Sequence, residues 1–155
     1  MINVLAQTNS VANNFLAEIR DIEVQRDALR FRRNMERLGE IFAYEISKTL
    51  DFYEQEVTTP LGTAMVRKTE RKVVLATILR AGLPMHQGML NYFDYAGNAF
   101  ISAYRKHHKD GSFEISLQYV TCPDLNGAVL ILADPMPATG PAIARTPQEL
   151  TRYGN

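Results

Sequence analysis

The stretch VLILADPMPATGPAIA, from Val129 to Ala144, constrains this chain more than any other. Its apolar run, Val129 to Ala133, is far shorter than the roughly 20 residues a membrane span requires, and it has the length of a buried strand. An acid, Asp134, stands where the strand ends. Pro135, Met136 and Pro137 follow, then the small residues Ala138, Thr139 and Gly140, and Pro141 suits the first position of a helix. Strand, tight loop and helix N-terminus in that order make a place where backbone N–H groups hold a phosphate. A chain containing such a unit is expected to fold as an α/β domain.

The rest of the sequence supplies the elements that such a domain needs. VVLATIL, from Val73 to Leu79, is a second buried strand and ends in Arg80-Ala81-Gly82. Helical spacing through Met85, Met89 and Phe93 predicts a helix from Pro84 to Tyr95. NAFISAYR reads as a strand, KHHKDG as a turn, FEISLQYV as its antiparallel partner, and Pro141 to Arg152 as a last helix. Ahead of these, Val11, Phe15 and Ile19 predict a helix over Asn9 to Arg20, capped by Asn9 or Ser10. Phe31, Met35, Leu38, Phe42 and Ile46 form one face of a longer helix from Gln25 to Leu50. EVTTPLGTAMV then reads as a hairpin around Pro60-Leu61-Gly62. Strand–helix–strand order predicts parallel pairing with right-handed crossovers, in one domain over residues 1–155.

Composition narrows the classes of partner. Seventeen basic residues balance seventeen acidic ones in 155 residues, so bulk charge offers no footprint for nucleic acid. The one cysteine, Cys122, forbids an internal disulfide and points to a reducing compartment. MINVLAQTNS has neither the basic start nor the apolar core of a secretory signal. The expectation is a soluble cytoplasmic domain with no membrane and no nucleic-acid partner.

In an open parallel sheet, ligands gather at the carboxyl ends of the strands. Arg80 and Asp134 stand at two such ends. The plain reading of Arg80 is a solvated arginine past a strand, and of Asp134 a turn cap. Arg105 closes NAFISAYR and opens a cationic run that is either a solvated turn or a flap for a polyanion. His107 and His108 are poor partners for one metal, since neighbours on a strand point to opposite faces. Cys122 has no nucleophile motif around it, and His86 reads as a packing residue. Met35, Met85 and Met89 are core positions. The basic residues from Arg26 to Arg37 alternate with Asp27, Glu36 and, beyond them, Glu40, which favours a solvated or dimer-facing surface.

ERLGEIFAYEIS, TPLG, TILRAGLPMHQGMLNYF, FISAYRK and LILADPMPATG together resemble the uracil phosphoribosyltransferases, over nearly the whole chain. The resemblance implies a type I phosphoribosyltransferase-like parallel sheet flanked by helices, with N-terminal helices and a β-hairpin. It implies transfer of the phosphoribosyl group of 5-phosphoribosyl 1-diphosphate to uracil, giving UMP and diphosphate in pyrimidine salvage. Mg²⁺ would assist without dedicated protein ligands, and the protein would be a homodimer. Arg80 and Arg105 would hold the diphosphate. Asp134, Pro135, Met136, Pro137, Ala138, Thr139, Gly140, Pro141 and Ala142 would wrap the ribose and 5′-phosphate, with Asp134 the catalytic carboxylate. The family's loop commonly reads DPMLATGGS, and here Pro141 replaces a glycine N–H donor and Ala142 a hydroxyl. A hydrogen bond lost to a charged group costs about 1.5–3 kcal/mol. The family's Gly-Asp-Ala uracil pocket and last strands are expected beyond Asn155, where this chain stops. The rival reading is a non-catalytic or truncated homologue that binds ligand or a partner without turnover.

Overall fold

The computed structural model describes residues 2–69, 72–107, 113–136 and 141–154, and along 103–107, 113–118 and 141–145 it describes the backbone alone. The chain opens with a short 3-10 turn, Leu5–Gln7, and helix α1, Ala12–Arg20. Val11 is the residue before α1, and Ser10, one of the two residues expected to cap the helix, accepts the Ala12 N–H on its Oγ at 3.3 Å.

The helix expected from Gln25 to Leu50 is broken near its start. Val24–Arg26 forms a 3-10 turn, and α2 runs from Ala28 to Ser47. Asp27 causes the break, because its carboxylate accepts the N–H groups of Leu29 and Arg30, each at 3.0 Å. A short acceptor side chain serves a helix better as its N-cap than in its interior.

Two strands, β1 (Phe52–Thr59) and β2 (Gly62–Thr69), pair antiparallel as a sheet of their own. They are longer than the sequence suggested and largely exposed. With little burial there is no apolar alternation to mark where they begin and end.

The main sheet has the order β5-β4-β3-β6. Its strands are β3 (Lys72–Leu79), β4 (Gly97–His107), β5 (Phe113–Thr121) and β6 (Ala128–Ala133). β4 and β6 run parallel to β3 on either side, and β5 is antiparallel to β4. The expected α/β fold is therefore present, as a mixed sheet whose centre is parallel. Lys106 and His107 lie in β4 instead of the turn expected there, and His108 lies outside the described residues.

Alternation along β3 builds two cores. Val73 and Leu75 meet α2 and α3 through Met35, Ala43, Met85 and Met89. Val74 and Ala76 point to the opposite face, with Ala99, Ile101, Leu125 and Leu150. Strand geometry sends successive side chains to opposite faces, so a strand apolar at every position demands cover on both. Helix α3 (Leu83–Leu90) and α2 supply one cover, and α4 (Pro141–Leu150), through Leu150, contributes to the other.

Helix α3 ends five residues before the expected Tyr95. The chain must turn there to enter β4 beside β3, and Phe93 still packs against the first core from outside the helix. The last helix runs through Pro147 to Leu150 and continues as a 3-10 turn, Thr151–Tyr153. Thr146 and Leu150 are fully buried, and the Tyr153 carbonyl accepts the Leu125 N–H at 2.9 Å. No helix among the described residues is long and apolar enough to cross a membrane.

Candidate active site

The carboxyl ends of β3 and β6 lie side by side, with Thr77 paired to Ala133 in register. The buried Thr77 hydroxyl donates to the Ala133 carbonyl at 3.1 Å. The same hydroxyl sits where a Cβ on Gly82 would fall. One side chain therefore bonds the end of β6 and crowds the loop after β3, and only glycine leaves room for it at position 82.

After β3 the chain turns sharply. The Gly82 N–H donates to the Ile78 carbonyl at 3.2 Å and the Leu83 N–H to Arg80 at 3.2 Å. The Leu79–Arg80 peptide is cis. Pro84 lies in the first turn of α3, where its missing N–H is not needed. Arg80 is thereby left exposed at the rim of the sheet.

After β6, one carboxylate oxygen of Asp134 accepts the Met136 N–H at 3.0 Å. This is the turn-capping role in its Asx form. Its other oxygen has no partner among the described residues. Asp134 therefore combines both readings: it shapes the loop and still presents an acceptor.

The two loops converge. A cleft of about 560 Å³ lies between α1, α2 and the β6 end, lined by Arg20, Phe31, Met35, Met85, Asp134 and Met136 among others. A second hollow of about 230 Å³ is lined by Phe31, Arg32, Met35, Arg80, Pro135 and Met136, with Ala81 and Pro84. The two share Phe31, Met35, Pro135 and Met136 as common wall. Arg80 and Asp134, separated by 54 positions in sequence, thus line two adjoining hollows with a common wall at the carboxyl edge of a parallel strand pair. That is where an open α/β sheet binds ligands.

Arg105 stands in β4 opposite Ile115, and its side chain lies outside the described part of the structure. So do residues Pro137, Ala138, Thr139 and Gly140 and the side chains of Pro141 and Ala142. Other candidates are placed away from the cleft. His86 is 4% exposed, with its ring 5.1 Å from that of Phe100. Burial pushes its pKa down, and a hydrogen bond to the Leu75 backbone pulls weakly the other way. Burial pushes the Cys122 thiol up, away from the thiolate, which suits an unreactive cysteine.

Sequence reasoning did not single out the α1 and α2 walls of the cleft. Phe31 and Met35 were legible only as core positions, and Arg32 as one of a run of helix arginines. The spacing Phe31-Met35-Leu38-Phe42 does mark the face that both lines the cleft and meets the core. Nothing local shows that the face is only partly covered.

Fold and geometry together define an α/β protein with an arginine and a carboxylate on neighbouring loops at the carboxyl ends of its parallel strands. Comparison with known proteins is in accord. The family profile for uracil phosphoribosyltransferase matches residues 6–155. The uracil phosphoribosyltransferase of Porphyromonas gingivalis is 52% identical over 97% of this chain and 70% of its own length. That of Pyrococcus furiosus is 37% identical over 90% of this chain and 60% of its own. A solved structure of the AQ2163 protein from Aquifex aeolicus superposes with a TM-score of 0.79 at 26% identity, covering 94% of this chain and 68% of that one. The chain belongs to the uracil phosphoribosyltransferase family.

Proposed function

We propose that this chain carries out the reaction its relatives are named for, joining uracil to the phosphoribosyl group of 5-phosphoribosyl 1-diphosphate to give UMP and diphosphate. In a member of this family, the observation that carries the reading is the convergence of the Arg80 and Asp134 loops on two adjoining hollows. The rival, a homologue that binds without turnover, is not favoured: relatives matched over 97% of the chain bear the enzyme's name.

The roles follow from where charge develops. As the bond between the anomeric carbon and the diphosphate breaks, negative charge grows on the leaving group. Arg80, and by the family resemblance Arg105, would meet that charge with guanidinium donors. The ribose gains positive character at the same moment, and Asp134 opposes it while its free oxygen accepts from the sugar hydroxyls. By the family resemblance, the segment from Asp134 to Ala142 would hold the ribose and 5′-phosphate, with backbone N–H groups near the start of a helix suited to a phosphate.

The donor set suits Mg²⁺ in one manner only. Among the described residues no three His, Cys, Asp or Glu side chains cluster as a metal site, and Asp134 is the one carboxylate lining the cleft. Mg²⁺ keeps several waters and rests on one or two carboxylates plus substrate phosphates. It would therefore arrive with the diphosphate, near Asp134, and neutralise part of the leaving charge. A homodimer in the cytoplasm completes the proposal. It is supported by the exposed apolar residues of the hairpin, Leu61 and Met65 among them, and by the single cysteine.

The test is direct. The chain is incubated with labelled uracil, 5-phosphoribosyl 1-diphosphate and Mg²⁺, and UMP is separated and counted. UMP formation that depends on both substrates is expected. Binding of 5-phosphoribosyl 1-diphosphate by calorimetry with no UMP above background would return the reading to the rival.

A further inference from the structure

The arginines of α2 and the turn before it divide into two sets. Arg26 pairs with Glu23 at 3.1 Å, Arg30 with Glu18 at 2.7 Å, and Arg33 with Glu36 at 2.8 Å. Arg37 donates to Asn34 Oδ1 at 3.0 Å and lies over the Phe15 ring. Arg32 has no such partner among the described residues, and its one helical neighbour of opposite charge, Glu36 four positions on, is taken by Arg33.

Arg32 borders the 230 Å³ hollow together with Arg80, which also has no acidic partner among the described residues. No carboxylate lines that hollow. Two guanidinium groups drawn to one small space without an acid repel each other, and an anion placed between them turns repulsion into attraction. Guanidinium forks match the oxygens of phosphates in two-point contacts. A group with charge on both of its ends suits two such forks better than a single phosphate monoester does.

Resting on the function proposed above, we infer that Arg32 of α2 is a second arginine of the diphosphate site, facing Arg80 across the hollow. The ligand class is a diphosphate, whether free or as the diphosphate end of a phosphorylated sugar. Arg32 grips the leaving group from the helix side, while Asp134 and its loop hold the sugar. The apolar wall of Phe31, Met35, Pro84 and Pro135 limits water around that contact and strengthens it.

The experiment measures binding of three probes by calorimetry: inorganic diphosphate, 5-phosphoribosyl 1-diphosphate and ribose 5-phosphate. The proteins are the natural chain, Arg32→Ala, Arg80→Ala and Arg33→Ala, the last removing an equal charge on the paired side of the same helix. Arg32→Ala is expected to weaken both diphosphate probes about tenfold or more and to leave ribose 5-phosphate within about twofold, as an exposed charge elsewhere would. Arg33→Ala should leave all three within about twofold. If Arg32→Ala matches Arg33→Ala while Arg80→Ala weakens the diphosphates, the assignment of Arg32 is overturned and the proposed function stands. Equal weakening of all three probes by Arg32→Ala also overturns it. If the natural chain binds none of the three, the functional reading falls, and this inference with it.

Discussion

At the scale of single residues, the proposed chemistry rests on side chains that the two cores leave uncommitted. Arg80 contributes nothing to either core. Arg80→Ala is therefore expected to shift stability by only about 0.5 kcal/mol, while 5-phosphoribosyl 1-diphosphate binding falls markedly. Chemical denaturation and calorimetry on the same samples check both halves, and unchanged affinity would remove Arg80 from the site. The prolines of the loop make the opposite kind of prediction. Pro137 fixes its own φ and pushes Met136 towards extended conformations, and Pro141 lacks an N–H at the start of α4. The pair Pro137→Leu with Pro141→Gly restores the family's donors. It should tighten 5-phosphoribosyl 1-diphosphate binding about tenfold or more, the effect of about one charge-assisted hydrogen bond. Binding no tighter than that of the natural chain would show that the prolines do not limit the loop.

At the scale of elements, α2 and α3 cross at close range because each offers a glycine at the contact. A Cβ on Gly39 would strike the Met85 carbonyl oxygen, and one on Gly88 would strike the Glu36 carbonyl oxygen and come within 3.0 Å of the Glu40 amide nitrogen. These are backbone atoms, which cannot rotate aside as a side chain can. Gly39→Ala and Gly88→Ala each improve helix propensity by about 1 kcal/mol, yet the overlap outweighs that gain. Each is expected to destabilise the fold by roughly 1–3 kcal/mol, the range for an overpacked interior. The helices would separate and carry Met85, Phe31 and Met35 out of place in the cleft. Thermal unfolding decides the matter: a midpoint equal to or above that of the natural chain for either variant would contradict the close crossing.

At the scale of the whole molecule, two groups give stability a pH dependence in separate windows. The buried His86 has its folded pKa held below the usual 6.5, and its Nε2 has no partner among the described residues. The unfolded chain binds the proton first, so stability declines as pH falls below about 6.5. Glu18 accepts from Arg30 at 2.7 and 2.8 Å and from Asn34 at 2.6 Å, and these bonds hold its pKa at about 2 against a usual 4.5. Its contribution, which fastens α1 to α2, is complete above pH 4.5 and is lost as pH falls towards 2. Denaturation midpoints from pH 8 to 3 should fall in both windows. His86→Leu should flatten only the upper one and Glu18→Gln only the lower, and an unaltered upper slope in His86→Leu would exclude that assignment. Self-association is the other property of the whole. β6 is an edge of the main sheet among the described residues, and the hairpin exposes Leu61 fully, Met65 by 61% and Phe52 by 47%. Open edges and apolar patches seek cover, so light scattering at micromolar concentration should report a dimer or larger species. A monodisperse monomer would count against it.

What the sequence determined by itself is whatever periodicity and punctuation carry within a few residues. β3 and β6 were legible because strands covered on both faces must be apolar throughout, and their ends because Arg80 and Asp134 interrupt those runs. The apolar face of α2 was legible for the same local reason, and Asp27 as its cap could have been, since a short acid before a helical period is a start signal. The hairpin's limits were not, because exposed strands carry no pattern. Only the tertiary structure decided that Thr77 bonds the end of β6 and crowds Gly82, that Gly39 and Gly88 mark a helix crossing, and that Arg32, with no acidic partner among the described residues, borders the same hollow as Arg80 while its neighbours are neutralised. An arginine's partner depends on which element crosses the helix at that turn, and the spacing along one chain carries no record of that crossing.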